Sequence, residues 1–574
     1  MVFCAHCLLF VKIFHGAFQG YNSDILTLAK STFDMEHKKK KKPLFNLYYP
    51  VTIPATLIIL GFVLVTLIVG EPIERLFEKW RDVLYDKVGW LFIITVSTML
   101  VMSIIIAFGP FGRIRLGGPK AVPDYSDFSW YSMLFSAGMG IGLIFYGVAE
   151  PIQHLVNPPI PVATEAKAAE QAFKFTFLHY GFHPWAVYAM VSLGFAFFTF
   201  NRKLPLSVRS LFFPVLKHRI NGWFGHVVDV LAVIACLFGL ATTLGFGASQ
   251  IGSGLNYLWG IPNTTYTHVI FIIVATVIAS FSIASGLDKG VKALSVFNIR
   301  LTLVFMVVML FIGPSVFIID SLIENIGNYL QNAIQLGTYT EVYSNTKWQN
   351  NWTIFYWAWW IAWSPFVGIF IARVSKGRTI REFLTGVILI PSAFSFLWFT
   401  VFGSSAVYLE LNGLAPIGAE VDANISTALF AMLGAFPLSK IMSFVGVLLL
   451  VSFFVTSSDS GSLVVDFITS GGKMDSPVLQ RLFWAALLGL LAATLLIGGG
   501  LVTLQTAVML AALPFSLILL AMCYNLVIAL NRERLKNLRL SVKRRQKMRA
   551  SLIEKHLEDL DILEDEDDDE DDDD

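Results

Sequence analysis

The feature that most limits what this chain can become is a series of apolar runs, each about 20 residues long and bounded by charge. A helix of about 20 residues crosses a bilayer core of about 30 Å, and nothing in that core solvates free backbone groups. Hydrophobic residues make up 55% of the 574 and charged residues 14%, whereas a soluble chain needs about a quarter charged to cover its surface. A transmembrane barrel would show short alternating segments, which are absent from the pattern. The expected class is an all-α integral membrane protein.

Twelve spans are read, at about 49–70, 88–108, 130–149, 172–200, 226–248, 265–285, 293–317, 353–373, 381–404, 438–466, 481–498 and 503–530. A more polar stretch, 320–336, fits a helix lying along the interface. Loops after even-numbered spans carry Arg113, Arg115 and Lys120, then Arg202, Lys203 and Arg209, then Lys289 and Lys292, then Arg373, Lys376, Arg378 and Arg381, then Lys473 and Arg481. Loops after odd-numbered spans carry fewer, Arg75, Lys79, Arg81 and Lys87, then Lys167 and Lys347, and the connections 249–264, 405–437 and 499–502 contain no Lys or Arg. Positive loops stay cytoplasmic, so both termini are expected inside, as an even number of spans also requires.

Three segments follow from this. Residues 1–48 form a cytoplasmic lead-in whose first 34 residues read as an extension, because Met35 directly precedes the basic run Lys38–Lys42. Cys4 and Cys7 form a lone CxxC without a second half, which reads as chance rather than metal binding. Residues 49–530 form the membrane domain. Residues 531–574 begin as a basic helix and end in an acidic tail, read either as a solvated helix or as a contact with anionic lipid. No extramembrane segment is long enough for a catalytic domain. No His/Glu metal cluster, nucleophile motif or phosphate loop stands out, so the chain does not read as an enzyme.

Four spans carry residues that lipid disfavours. The third, FSAGMGIGLIFYGVAEP, places Gly138, Gly140 and Gly142 at alternate positions. Such glycines permit close helix packing, but this density also fits unwound backbone lining a site. Six of the fourteen tryptophans fall between Trp348 and Trp363 in the eighth span, with Trp359, Trp360 and Trp363 on one broad face, and Pro365 and Gly368 are expected to disturb that helix. Tyr180, Trp185 and Tyr188 group about Pro184 in the fourth. Ring faces are the complement of a methylated ammonium, which has no hydrogen to donate. In the tenth span, Thr456, Ser457, Ser458 and Asp459 interrupt apolar sequence. Their hydroxyls either bond back to the preceding turn or offer oxygen ligands to Na⁺.

SAGMGIGLIFYGVAEP (136–151), HPWAVY (183–188), SGLDKGVKALS (285–295), FYWAWWIAWSPFVGIFIARVSKGRTIREF (355–383) and VTSSDSGS (455–462) together resemble the betaine/choline/carnitine transporter (BCCT) family. The resemblance runs from about Tyr49 to Asn531. It implies a LeuT-type core of two inverted five-helix repeats, spans 3–7 and 8–12, after two additional helices, with spans 3 and 8 both interrupted. It places a quaternary ammonium among Tyr180, Trp185, Tyr188, Trp359, Trp360 and Trp363, beside Gly138, Met139, Gly140 and Gly142. Tyr180 stands where a betaine carrier often has Trp. One Na⁺ is implied at Ser136, Met139, Phe453, Thr456 and Ser457, and a second at Thr242 or Thr243 near Phe366.

The resemblance further implies a secondary transporter in a bacterial inner membrane, importing a glycine betaine-like solute with Na⁺ by alternating access. Na⁺ is the coupling ion and no other cofactor is expected; homotrimers are common in the family. Proton symport, substrate/product antiport with choline or carnitine, and a non-transporting osmolyte sensor are the alternatives. Trp398 is expected to lie outside the site and to tolerate replacement.

Overall fold

The computed structural model describes residues 44–568 except 139, 286–289, 345 and 476, with side chains left undescribed at 71, 74, 135–138, 290–293 and 558–568. The extension 1–34, the CxxC and the basic run Lys38–Lys42 lie outside these residues. Among the described residues the chain is helical without strands, apart from an isolated antiparallel bridge between Arg115 and Thr379. The main helices are α1 (Tyr49–Val69), α2 (Glu71–Phe108), α3 (Asp127–Gly138), α4 (Ile141–Val156), α5 (Glu165–Tyr180), α6 (Phe182–Ala196), α7 (Trp223–Trp259), α8 (Thr265–Ser285), α9 (Gly290–Ile312), α10 (Ser315–Gly337), α11 (Phe355–Val374), α12 (Ile380–Phe399), α13 (Ser439–Thr469), α14 (Val478–Ile497) and α15 (Gly500–Asp568).

Eleven helical segments among the described residues are long and apolar enough to cross a membrane, one fewer than the expected twelve spans. The difference is the third span. It is divided into α3 and α4, of 12 and 16 residues, each too short to cross alone. Gly140 between them is fully extended (φ −176°, ψ −177°). The fourth span is also jointed, with Gly181 separating α5 from α6.

The eighth span corrects an expectation, because α11 runs unbroken through Pro365 and Gly368. Proline removes the N–H that would bond to the Ile361 carbonyl. The Ser364 hydroxyl donates to that carbonyl instead, at 2.7 Å. Gly368 serves packing, since a Cβ there would lie 2.8 Å from Val191 of α6.

Burial sorts the helices into an inner set and a lipid-facing set. The apolar stretch of α7 is 83% buried, against 33% for α1, 22% for α8 and 28% for α9. Helix α7 packs on α13, α14, α15 and α11, with small residues where the axes come close. A Cβ at Gly245 would meet Leu504 of α15, and Leu240 fills the space beside Gly461 of α13. The outer faces of α1 and α8 expose Leu57, Ile68, Ile270 and Phe281, as a hydrocarbon solvent allows.

At one end of the bundle Arg378 lies over the Trp130 ring at 4.7 Å and pairs with Asp127 and Glu382, tying the first turn of α3 to α12. Helix α13 is anchored by Asp459. Its carboxylate pairs with Arg481 of α14, both side chains 1% exposed, and accepts from Ser282 of α8 at 3.0 Å. Removing one partner of such a pair leaves an uncompensated buried charge, typically at a cost of about 3–5 kcal/mol. Asp459→Ala is therefore expected to lower the melting temperature of the purified protein markedly. An unchanged melting curve would show the pair to be dispensable.

Candidate functional site

The break between α3 and α4 opens one wall of a cavity. Its lining comprises Gly140, Ile141, Gly142 and Leu143 from the break, Tyr180, Pro184, Trp185 and Tyr188 from α5 and α6, Thr243 from α7, and Trp359, Trp360, Trp363 and Val367 from α11. All six aromatic residues singled out in the sequence therefore meet there, with Gly140 and Gly142. Gly138 closes α3, outside the residues whose side chains are described, and Met139 lies outside the described residues altogether. The lining carries no charged side chain.

The rings hold one another in place. Trp359 and Trp360 stack at 5.3 Å and 16°, while Tyr180 and Tyr188 stand edge-on to Trp360 at 5.4 and 5.9 Å. Trp185 meets Tyr188 edge-on at 5.3 Å. Trp359 is fixed by an indole N–H 3.2 Å from the Thr243 hydroxyl, and Trp360 donates to the His179 carbonyl at 2.9 Å. Gly142 is required by close approach, because a Cβ there would sit 3.0 Å from Trp359, whereas a Cβ at Gly140 would meet nothing within 4 Å. Two buried polar atoms of the lining, the Tyr188 hydroxyl and the Trp363 indole nitrogen, have no partner in the protein. Such atoms call for an explanation, and a ligand or water supplies one.

The carbonyls at the start of α4 are tied by side chains from three other helices. Tyr180 donates to Gly142 (3.3 Å), Trp398 to Leu143 (2.8 Å) and Gln250 to Ile144 (3.2 Å). Trp398, expected to lie outside the site, is absent from the cavity lining, but it supports the wall from behind. It is 1% exposed, packs at 2.7 Å from the Cβ position of Gly147, and steadies the broken helix from α12. The α4 N-terminus has no side-chain cap, so its first amide groups remain free of that constraint.

The residues expected around Na⁺ are placed on several helices. On α13, Thr456 bonds back to the carbonyls of Ser452 and Phe453 at 3.0 and 3.1 Å, Phe453 is buried, and Ser457 is half-buried. The side chain of Ser136 falls in the undescribed stretch of α3. On α7, the Thr242 hydroxyl lies 2.9 and 3.0 Å from the carbonyls of Phe238 and Leu504, and Thr243 bonds back to Gly239 at 3.1 Å. Phe366 is half-buried, edge-on to Trp363 at 5.2 Å. Each hydroxyl that bonds back to its own helix keeps lone pairs on the oxygen.

Reading along the chain missed a buried cluster of Glu150 and His154 on α4 with His179 on α5, all 0% exposed. One polar atom from each lies within 4.8 Å of the others. Glu150 Oε1 is 2.6 Å from His179 Nδ1 and 3.3 Å from His154 Nε2, Tyr356 donates to Glu150 Oε2, and His179 Nε2 meets Thr353 at 2.9 Å. The signal available was Glu150 and His154 spaced i, i+4 in an apolar span, but His179 joins them only when α4 and α5 pack.

Helices long and apolar enough to cross a membrane, gathered around a ring-lined cavity, define a multi-pass membrane protein, and its relatives make it a transporter rather than an enzyme. Residues 50–535 match the betaine/carnitine/choline transporter family, and the chain belongs to it. It is 42% identical to a glycine betaine transporter of Acinetobacter baylyi over 84% of this chain and 74% of that one. It is 43% identical to a glycine betaine/proline/choline transporter of Vibrio parahaemolyticus, over 81% of this chain and 87% of the relative. An uncharacterized transporter of Mycobacterium bovis is 44% identical, over 83% and 81%.

Trp398→Ala removes a filled core volume and leaves the Leu143 carbonyl without its indole donor. A loss of about 3–5 kcal/mol is expected, as for other buried Trp truncations. Thermal melting checks it, and a wild-type melting temperature would mean that the indole does not steady α4.

Proposed function

We propose that this chain imports a quaternary-ammonium compatible solute of the glycine betaine type, driven by Na⁺, by alternating access across a bacterial inner membrane. The observation that carries this reading is a cavity walled by six aromatic side chains and no charged one. A trimethylammonium group is a diffuse cation that cannot donate a hydrogen bond, so ring faces bind it where a carboxylate is lacking. The uncapped start of α4 at the same cavity suits the solute's carboxylate, because amide groups and the helix dipole favour an anion there. That second contact favours a zwitterion such as glycine betaine over choline. Relatives named for glycine betaine transport support the same choice.

For the ion, Thr456, Ser457, Thr242 and Thr243 supply hard oxygen atoms on α13 and α7, with the Phe453 carbonyl beside Thr456. With α3 and α4 counted as one interrupted crossing, the eleven long segments become twelve, in keeping with two five-helix inverted repeats after α1 and α2. Both termini then face the cytoplasm, and α4 with its neighbours moves against the α7–α13 frame. Assembly as a homotrimer belongs to the same proposal.

Trp363→Leu and Trp360→Leu keep bulk and remove a ring face, and each is expected to weaken glycine betaine binding by about 1–2 kcal/mol, roughly 5- to 30-fold. Fluorescence titration of purified protein measures it, and unchanged affinity in both variants would remove the ring box from the binding site. Uptake of labelled glycine betaine into vesicles is expected to collapse without a Na⁺ gradient. Uptake that persists in potassium-only buffer would refute the coupling.

A further inference from the structure

A continuous hydrogen-bonded chain leads from the ring-lined cavity to the buried cluster on α4 and α5. It starts at the Gly142 carbonyl in the cavity wall, which accepts from the Tyr180 hydroxyl at 3.3 Å. Tyr180 and Tyr356 hydroxyls meet at 3.2 Å, and Tyr356 reaches Glu150 Oε2. Glu150 Oε1 then meets His179 Nδ1 at 2.6 Å. His179 is itself part of the cavity's support, because its carbonyl holds the Trp360 indole at 2.9 Å and its ring stacks on Tyr356 at 4.6 Å and 24°. Every side chain in this chain is buried. An ionisable acid and imidazole inside a membrane protein are costly to keep without a role, and the proposed transport reaction uses neither.

We propose that Glu150 and His179 together form a proton-binding site coupled to cation binding in the cavity, so that the solute's ammonium group and the proton oppose one another. The inference rests on reading that cavity as a cation site. The coupling has two physical parts. Adding a proton to the pair adds one positive charge a short distance from a second cation in a medium that screens poorly. The proton also reverses the direction of donation along the chain. With Glu150 ionised, Tyr356 donates to it, leaving the Tyr356 oxygen to accept from Tyr180. With Glu150 protonated, the acid can donate to Tyr356, which donates to Tyr180, and the Tyr180 proton is then committed to the Gly142 carbonyl. Protonation therefore tightens the hold on the α4 start that forms the cavity wall.

The surroundings of the pair are largely neutral hydrogen-bonding groups. On α4 itself these are Tyr146 and His154, whose Nδ1 has no partner. His183 of α6 shares the Trp357 ring with His179, each imidazole 5.8 Å from it. Asp422 meets α4 through Gln153 at 2.8 Å, on an exposed contact. Trp348 and Trp352 pack on the His154 ring at 4.9 and 4.5 Å, and Trp348 lies parallel to His179 at 6.0 Å. The sign follows from charge alone. A proton on the pair weakens cation binding, so affinity rises with pH through the range in which the pair releases its proton, and binding expels protons there.

Two readouts on the purified full chain test this. Without any solute, intrinsic tryptophan fluorescence is titrated from about pH 5 to 8.5, because a change of charge on the Glu150–His179 pair beside Trp348, which lies parallel to His179 at 6.0 Å, alters its emission. A titration step is expected that moves or disappears in each of Glu150→Gln and His179→Gln; a step unchanged in both would overturn the proton site. With glycine betaine and choline as probes, affinity is expected to rise several-fold with pH in the wild type, and proton release on binding is expected in weak buffer. Both effects should vanish in Glu150→Gln, and a pH profile parallel to the wild type would overturn the coupling. Tyr356→Phe leaves both titrating groups in place and interrupts the chain. It should keep the solute-free step while reducing the pH dependence of affinity, which tests the relay even where the Glu150 or His179 variants fold poorly. If the solute-free step behaves as expected but neither probe binds the wild type at any pH, the cation reading of the cavity fails and the proton site stands.

Discussion

A helix can stop halfway through a bilayer only where other parts of the protein take over the backbone groups it leaves behind. That constraint shapes the centre of this molecule. A helix start at Ile141 would be untenable against lipid, yet here α4 packs against α5, α7 and α12. Tyr180, Gln250 and Trp398 reach the first carbonyls of α4 from three of these helices. The same three contacts set the height and tilt of the cavity wall, so cavity geometry and helix packing are one structural problem rather than two. The extensive packing of α7 on α13, with small residues at the close approaches, supplies the fixed reference against which that wall is held.

Aromatic side chains resolve a second tension. A cation taken from water into hydrocarbon loses a large hydration energy, and a nearby carboxylate would return it only by burying a second charge. Stacked indoles and edge-on phenols offer a negative surface without net charge. Their orientation is held by specific bonds, from Trp359 to Thr243 and from Trp360 to His179. The outer partners of the rings are thus as much a part of the cavity as the rings.

Much of this was legible in the sequence because it is written in local periodicity. Run length gave the crossings, alternate glycines at 138, 140 and 142 gave the break, and the crowding of Trp359, Trp360 and Trp363 gave the ring face. What stayed hidden depends on neighbours in space. Pro365 reads as a helix breaker until Ser364 is seen on the carbonyl it frees. Trp398 reads as one more apolar residue until its indole is found on Leu143. Glu150 and His154 are visible as an i, i+4 pair, but nothing local announces that His179, on the next helix, completes the group.

The last helix has a mechanical consequence. Helix α15 begins against Gly245 of α7, where Leu504 fills the space beside the glycine, and continues without interruption to Asp568. At 1.5 Å per residue, the stretch from Leu530 to Asp568 is about 57 Å long, and its first turn is still held to the bundle by Arg202 on Glu533 and by Arg532 on the Pro214 carbonyl. In a straight helix of that length a tilt of about 5° at the root displaces the tip by roughly 5 Å. Small differences in how its root packs against α7 therefore become large differences in where its charged end lies.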